Sequence, residues 1–298
     1  MKVLIIGSKG FIGRHCKEYF EQKHEVWGCD IVLDYNDTRY IVVDAVDADF
    51  ASVFSRHIFD LCINCSGAGS VPFSLERPLN DFGLNVINVV KILEAIRLFC
   101  PGCKFVTMSS AAVYGNPEGL PIRKDFAVVP ISPYGYHKAM SEYVCEEYYR
   151  FWGVKTCCLR VFSAYGPGLK KQLFWDMYKK FKNNKIVELW GTGNESRDFI
   201  YISDLVRAVE FVVENADFKA SIVNVANGVQ VAVRDVSDTF VKVLQSNKSV
   251  MFNKEERKGD PIHWRADISD LKEWGYKPMV SLEEGVRRFV KWAEKELQ

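Results

Sequence analysis

Over roughly the first 160 residues, short apolar runs of strand length alternate with longer segments whose apolar positions recur every three or four residues. The runs are KVLII (2–6), EVWGCD (25–30), IVVD (41–44), DLCINC (60–65), KFVTMSS (104–110) and KTCCLRV (155–161). The helical segments are GRHCKEYFEQ (13–22), NDFGLNVINVVKILEAIRLF (80–99) and SPYGYHKAMSEYVCEEYYRFW (132–152). Apolar strands separated by helices predict an α/β fold, a doubly wound parallel (Rossmann) sheet covered on both faces. Right-handed crossovers then gather the carboxyl ends of the strands on one edge, where a ligand can bind. The rest is less regular: a helix near residues 172–183, a strand IVELW (186–190), a helix from Ser203, a strand SIVNVA (221–226), and helices over 233–245 and 281–297. This predicts a Rossmann domain over 1–165, with part of 195–225 returning to it. The remainder, 166–298, reads as a smaller mixed α/β substrate lobe, interleaved with the first domain.

Charge adds little to this picture. The 298 residues carry a net charge of +1, so no global field favours nucleic acid or an anionic membrane. The opening MKVLIIG has too short an apolar run for a signal-peptide core or a membrane span, and a cytoplasmic protein is expected. Nine cysteines, an odd count, fit free thiols in a reducing compartment. Two pairs have metal-ligand spacing, Cys62-x-x-Cys65 and Cys100-x-x-Cys103. A parallel sheet places Cys65 and Cys103 near opposite strand ends, roughly 15–20 Å apart at ~3.3 Å per residue. They read as core thiols, with no metal.

Chemistry first shows at the first strand-to-helix turn, Gly7-x-x-Gly10-x-x-Gly13. Gly7 permits the tight turn, Gly10 lets backbone approach a pyrophosphate, and Gly13 lets helix and strand pack closely; the helix amino terminus offers unpaired N–H groups. Asp30 ends the second strand, 17 residues past Gly13, where a carboxylate can accept from the ribose hydroxyls of NAD and repel the 2′-phosphate of NADP. Lys9, inside the turn, is a counter-signal that could tolerate that phosphate. Asp44, ending the third run, could accept from the adenine amino group.

Tyr134 and Lys138 stand four apart at the start of a helix, hence on one face. For a phenol with pKa near 10 to act as a base near neutrality, its phenolate needs about 4 kcal/mol of stabilisation. A nearby ammonium and an oxidised nicotinamide can supply it. Tyr136 is a rival phenol, but it lies two residues from Lys138 and faces away. Ser109 and Ser110 end the strand KFVTMSS, where a hydroxyl can hydrogen-bond a reacting oxygen and steer its proton to Tyr134.

Taken in order, GSKGFIG, SSAAVYG, SPYGYHK, LRVFSAYGPG, RDFIYISDL and RKGDPIHWRAD make the chain resemble the extended short-chain dehydrogenase/reductases, specifically the NAD-dependent epimerase/dehydratase group acting on nucleotide sugars. The resemblance implies Tyr134 as base, Lys138 as its pKa-lowering partner and Ser110 as hydroxyl donor. It implies Phe11 and Ile12 at the pyrophosphate, Ser66 and Gly67 against the cofactor, Asn85 near the nicotinamide ribose and Phe162 as a cofactor neighbour. Arg197 and Arg257 resemble the arginines that clamp the substrate diphosphate, and Asp260 the carboxylate on its nucleoside ribose.

Ser163 stands where the family usually has Asn, which touches one pyrophosphate or sugar contact. Ala111 and Ala112 stand where the family's dehydratases carry an acidic pair, so elimination is not expected. The resemblance thus implies an NAD-dependent epimerase of a nucleoside-diphosphate sugar, most naturally at C4 through a 4-keto intermediate. The alternative is a reductase of a 4-keto-6-deoxy sugar nucleotide; a third, a dinucleotide-binding protein without activity, should have lost Tyr134 or Lys138. A homodimer is expected through the helices near 80–99 and 134–151, which carry more apolar surface than one stripe requires, with Val89 assigned to the outward face.

Overall fold

The computed structural model describes residues 1–255 and 261–297. Six strands, β1 (Lys2–Ile6), β2 (Glu25–Asp30), β3 (Tyr40–Val42), β4 (Leu61–Asn64), β5 (Lys104–Ser110) and β6 (Thr156–Val161), join a seventh, Lys219–Val225, in one sheet. The order is Lys219–Val225, β6, β5, β4, β1, β2, β3, and the pairings from β6 to β3 are all parallel. Reversal of the strand order between β1 and β4 makes the switch point at which doubly wound sheets bind ligands. The register Cys29↔Ile6↔Asn64↔Thr107 aligns the carboxyl ends of β1, β2 and β4, with β5 running on to Ser110, so the loops after them share one edge.

The helices of this unit are α1 (Phe11–Phe20), α2 (Phe50–Arg56), α3 (Val71–Glu76), α4 (Pro78–Phe82), α5 (Asn88–Phe99) and α6 (Pro133–Trp152). Val89, Ile92, Leu93 and Ile96 of α5 enter one core cluster with Val53 and Phe54 of α2, Leu4, Ile6 and Phe105 of the sheet, and Tyr148 of α6. Each such side chain contributes about 1.5–3 kcal/mol by leaving water. Cys62, Cys100 and Cys103 belong to the same cluster, and all nine cysteines are free thiols. The register sets Leu61 opposite Lys104, which brings Cys103 close to Cys62 at the amino ends of β4 and β5.

Three sequence expectations change in detail. The segment expected as one helix over 80–99 is α4, then a π-helical turn Gly83–Ile87, then α5. Asn85 is buried within that turn. The third strand stops at Val42, so Asp44 does not end it. Instead its Oδ1 accepts from the N–H groups of Val46 and Asp47. Val89 does not face outward. It is 3% exposed, in the core.

Two compact units divide the chain: 1–115, 127–161 and 209–223 in one, and 116–126, 162–208 and 224–298 in the other. The second unit is built from helices and three two-stranded ladders. Parallel pairing joins Ser163–Tyr165 to Phe199–Tyr201 and Ile186–Leu189 to Ser249–Phe252; Ser196–Arg197 pairs antiparallel with Val231–Ala232. Its core is aromatic, with Phe174 stacked on Tyr165 and edge-on to Phe199 and Phe289. Ile122 secures the excursion 116–126: its N–H donates to Arg265 O, and its carbonyl accepts from Asn224 and Asp267. No helix among the described residues is long and apolar enough to cross a membrane.

Candidate active site

The glycine-rich turn is a backbone cradle that side chains would destroy. Gly7 sits at φ +77°, and a Cβ there would meet Ser66 N at 2.7 Å; a Cβ on Gly13 would meet Gly7 O at 2.0 Å. Gly10, the N-cap of α1, brings no side-chain acceptor, so the first-turn N–H groups at Phe11, Ile12 and Gly13 remain for a ligand. Two buried polar atoms nearby lack a partner, Ser8 Oγ and Asn85 Oδ1. Asn85 Nδ2 donates to Ala68 O at 3.2 Å, while its Oδ1 would lie 2.5 Å from a Cβ on Gly67, itself at φ +113°. Ser66 donates from both N and Oγ to Asn64 Oδ1. Asp30 lies against the cradle, accepting from Lys9 N–H and Ile31 N–H, each at 2.8 Å. A glycine cradle, a bare helix terminus, orphaned acceptors and a strand-end carboxylate fit the pyrophosphate and ribose of a dinucleotide. Asp44 is exposed and occupied with its own turn.

On the adjacent edge, α6 begins at Ser132, whose Oγ accepts from Gly135 N–H, followed by Pro133 at the first helical position. A Cβ on Gly135 would meet Ala112 O at 2.6 Å. That close approach brings the first turn of α6 onto the short 3₁₀ turn Ala111–Tyr114 that follows β5. In consequence Tyr134 shares a hydrogen bond with the Ser110 side chain, and Ser110 Oγ also accepts from Ala112 N–H at 3.1 Å. Lys138 is buried; its Nζ donates to Met108 O at 2.8 Å and lies 5.9 Å from the Tyr134 ring centroid. Tyr136 is 52% exposed and points away from this group.

The electrostatics differ from the simple expectation. Burial pushes the Tyr134 phenol above its ordinary value, the Ser110 hydrogen bond works against that, and the Asp81 carboxylate adds to it. Lys138 commits one N–H to the Met108 carbonyl. Desolvation brings Lys138 itself down to about 8, opposed chiefly by Asp81.

Asp81 was not singled out by the sequence. Its Oδ2 lies 2.6 Å from His137 Nδ1, and both side chains are buried where α4 meets α6. A second buried pair braces the same helix: Arg160 of β6 forks onto Glu142 at 3.0 and 2.8 Å, and Ser109 Oγ donates to the same carboxylate. The available signal was position. Asp81 shares the inward stripe of its helix with Asn85, and Arg160 interrupts an apolar strand, so each demands a buried partner.

In the second unit, Ser163 N–H donates to Asp198 O and Phe162 N–H to Val225 O. Arg197 Nη1 donates to Ser196 O and Ile262 O, and its guanidinium lies 5.8 Å from the Trp264 ring, which packs edge-on to Phe162. The ladders thus bring Phe162, Ser163 and Arg197 together. Burial raises Asp198 to about 7 while the N–H groups of Ala266 and Asn227 hold it down. Arg257 and Asp260 lie outside the described residues. No cluster of metal-ligand side chains occurs among the described residues.

Known proteins resemble this chain along nearly their whole length. A Methanocaldococcus jannaschii protein provisionally named as a UDP-glucose 4-epimerase is 27% identical over 305 residues, 97% of both chains. The structure of a UDP-glucose 4-epimerase from Thermotoga maritima, solved with UDP-glucose, superposes with a TM-score of 0.90 at 26% identity, covering all of both chains. A UDP-N-acetylglucosamine 4-epimerase from Methanobrevibacter ruminantium, solved with UDP-N-acetylmuramic acid, gives 0.89 at 26% identity, over 99% of this chain and 98% of that one. The model of the NAD dependent epimerase/dehydratase family matches residues 3–226, three quarters of the sequence and all of the glycine cradle and the Ser110–Tyr134–Lys138 group, and the chain belongs to that family.

Proposed function

We propose that this protein inverts C4 of a sugar carried on a nucleoside diphosphate, with NAD as its cofactor and uridine as the base suggested by its named relatives. The observation that carries the reading is buried Lys138, its Nζ fixed by Met108 O and 5.9 Å from the Tyr134 ring, with Ser110 bearing on the phenol. Gly7, Gly10, Phe11, Ile12 and Gly13 hold the pyrophosphate of the dinucleotide, Asp30 its ribose, and Ser66, Gly67 and Asn85 its nicotinamide end. Bound NAD would take up the C4 hydride and give it back, and its nicotinamide would add positive charge near Tyr134.

Tyr134 Oη accepts the proton of the 4-hydroxyl and later returns it, so the net proton count is zero. Ser110 donates to the sugar oxygen and keeps it in line with the phenol. Lys138 favours the phenolate as a buried cation, held in place by Met108 O. Inversion requires the sugar to present its other face to the same groups, so its anchor must lie elsewhere. Arg197 and Ser163 serve that role at the diphosphate, and the resemblance assigns Arg257 and Asp260 to the same substrate. Ala111 and Ala112 offer no acid for elimination.

The test is to incubate purified protein with UDP-glucose, UDP-N-acetylglucosamine and UDP-glucuronate and follow the anomeric protons by NMR. A C4 epimer formed without net consumption of NAD or NADH supports the reading. Stoichiometric oxidation of NADPH by a 4-keto sugar nucleotide, with no epimer from any substrate, would replace it with the reductase.

The assembly we infer is a homodimer through α5 and α6. Tyr136, Met140 and Tyr143 line one exposed stripe of α6, with Tyr143 64% exposed, and Ile87 is exposed just before α5. The closing helix Leu282–Glu296 packs on Gln172–Asn183 and Val233–Val243. A cytoplasmic location accords with nine unpaired thiols.

A further inference from the structure

Lys9 lies inside the glycine-rich turn, where an ammonium could pair with a phosphate on the adenosine ribose. Its position looks suited to NADP. The structure commits it elsewhere. Lys9 Nζ donates to Asp34 Oδ2 and stands 4.8 Å from the Tyr40 ring centroid. Asp34 is not there by chance of a flexible side chain, since its Oδ1 accepts from Asn36 N–H at 3.0 Å in a turn of its own. The Lys9 hydrogen bond, followed by that turn, holds the Asp34 carboxyl below its ordinary value. Tyr40 fixes the far side, its hydroxyl donating to Val32 O. Further along the same loop, Asp37 takes Lys17 at 3.0 Å.

We propose that Asp34 is a cofactor-specificity residue that acts through Lys9: by occupying the ammonium it denies a ribose 2′-phosphate its only countercharge inside the turn. Asp30 alone offers acceptors to two ribose hydroxyls and repels phosphate at short range. With Asp34 in place, a dianionic phosphate must break an ion pair before it can meet Lys9. The inference rests on the reading that Asp30 meets the adenosine ribose.

The experiment is displacement of bound NADH fluorescence by NAD⁺ and by NADP⁺, in wild type and in Asp34→Asn, Lys9→Met/Asp34→Asn and Asp30→Asn variants. Asparagine keeps the oxygen that accepts from Asn36 and removes only the charge. Asp34→Asn should tighten NADP⁺ about fivefold, the upper scale of one solvent-accessible charge contact, and leave NAD⁺ within about twofold. Lys9→Met in that background should abolish the gain. Unchanged NADP⁺ affinity, a gain that survives Lys9→Met, or an equal change for both cofactors would each overturn the proposal. Asp30→Asn separates the two readings: if it leaves NAD⁺ affinity unaltered, the ribose assignment falls. If it weakens NAD⁺ while Asp34→Asn has no effect on NADP⁺, only the role of Asp34 falls.

Discussion

Lys138 is a cation in a place that burial makes costly. Its pKa of about 8, against 10.5 for an ordinary lysine, has desolvation as its first cause. Below about pH 8 the buried ammonium is a constant charge against folding. Between about 8 and 10.5 the unfolded chain binds more protons than the folded one, so this group's contribution to stability rises with pH and then levels off. Lys138→Met should therefore end turnover yet raise stability at pH 7, by at most about 3 kcal/mol at 1.4 kcal/mol per unit. The lost bond to Met108 O offsets part of that. Chemical denaturation at pH 7 and pH 10.5 checks both points, because the gain should disappear at the higher pH. Tyr134→Phe is the complementary change: kcat should fall by several orders of magnitude while NAD stays bound, since only the proton acceptor is lost. A Tyr134→Phe enzyme that retains appreciable turnover would place the base elsewhere.

At the scale of elements, the site depends on how closely α6 approaches the turn after β5. Gly135 is the contact, and its missing Cβ is what allows Tyr134 to reach Ser110. Gly135→Ala should push the helix back by a few tenths of an ångström or more. The expected result is a loss of about 1–3 kcal/mol from overpacking and a large fall in kcat with NAD affinity retained. A fall in NAD affinity of the same size would mean that the whole sheet edge had moved. The strands, their order of appearance and α6 were legible because apolar runs and helical spacing carry through to burial. The π turn was not. Gly83 and Asn85 leave the helical period intact in sequence, and the wider turn appears where Asn85 packs against Gly67 and Ala68. The end of β3 was misplaced for a similar reason, since Asp44 prefers its own turn to a strand end.

For the whole molecule, the apolar stripe of α6 is the feature that a single chain leaves unexplained. Light scattering at micromolar concentration should give about twice the 34.1 kDa chain mass. Tyr143→Glu should yield monomers, because that side chain is exposed; Val89→Glu would instead unfold the core and is no test. A wild-type mass near 34 kDa would remove the dimer. The helix Leu282–Glu296 packs within the second unit, on Gln172–Asn183 and Val233–Val243.

What the sequence by itself determined is whatever local order and spacing encode. These are the alternation that makes a parallel sheet, the glycines of a phosphate turn, the carboxylate that ends β2, and a tyrosine and lysine one helical turn apart. What only the tertiary structure decided is which polar and charged groups meet. Asp81 with His137, Glu142 with Arg160, and Lys9 with Asp34 are each separated by 18 to 56 residues in sequence. The first two pairs are inside the protein, where an unpartnered charge is too costly to keep, and the third is set by a turn that the loop forms on its own. Spacing along a chain does not carry that information, because the energy of a charge depends on what surrounds it in space.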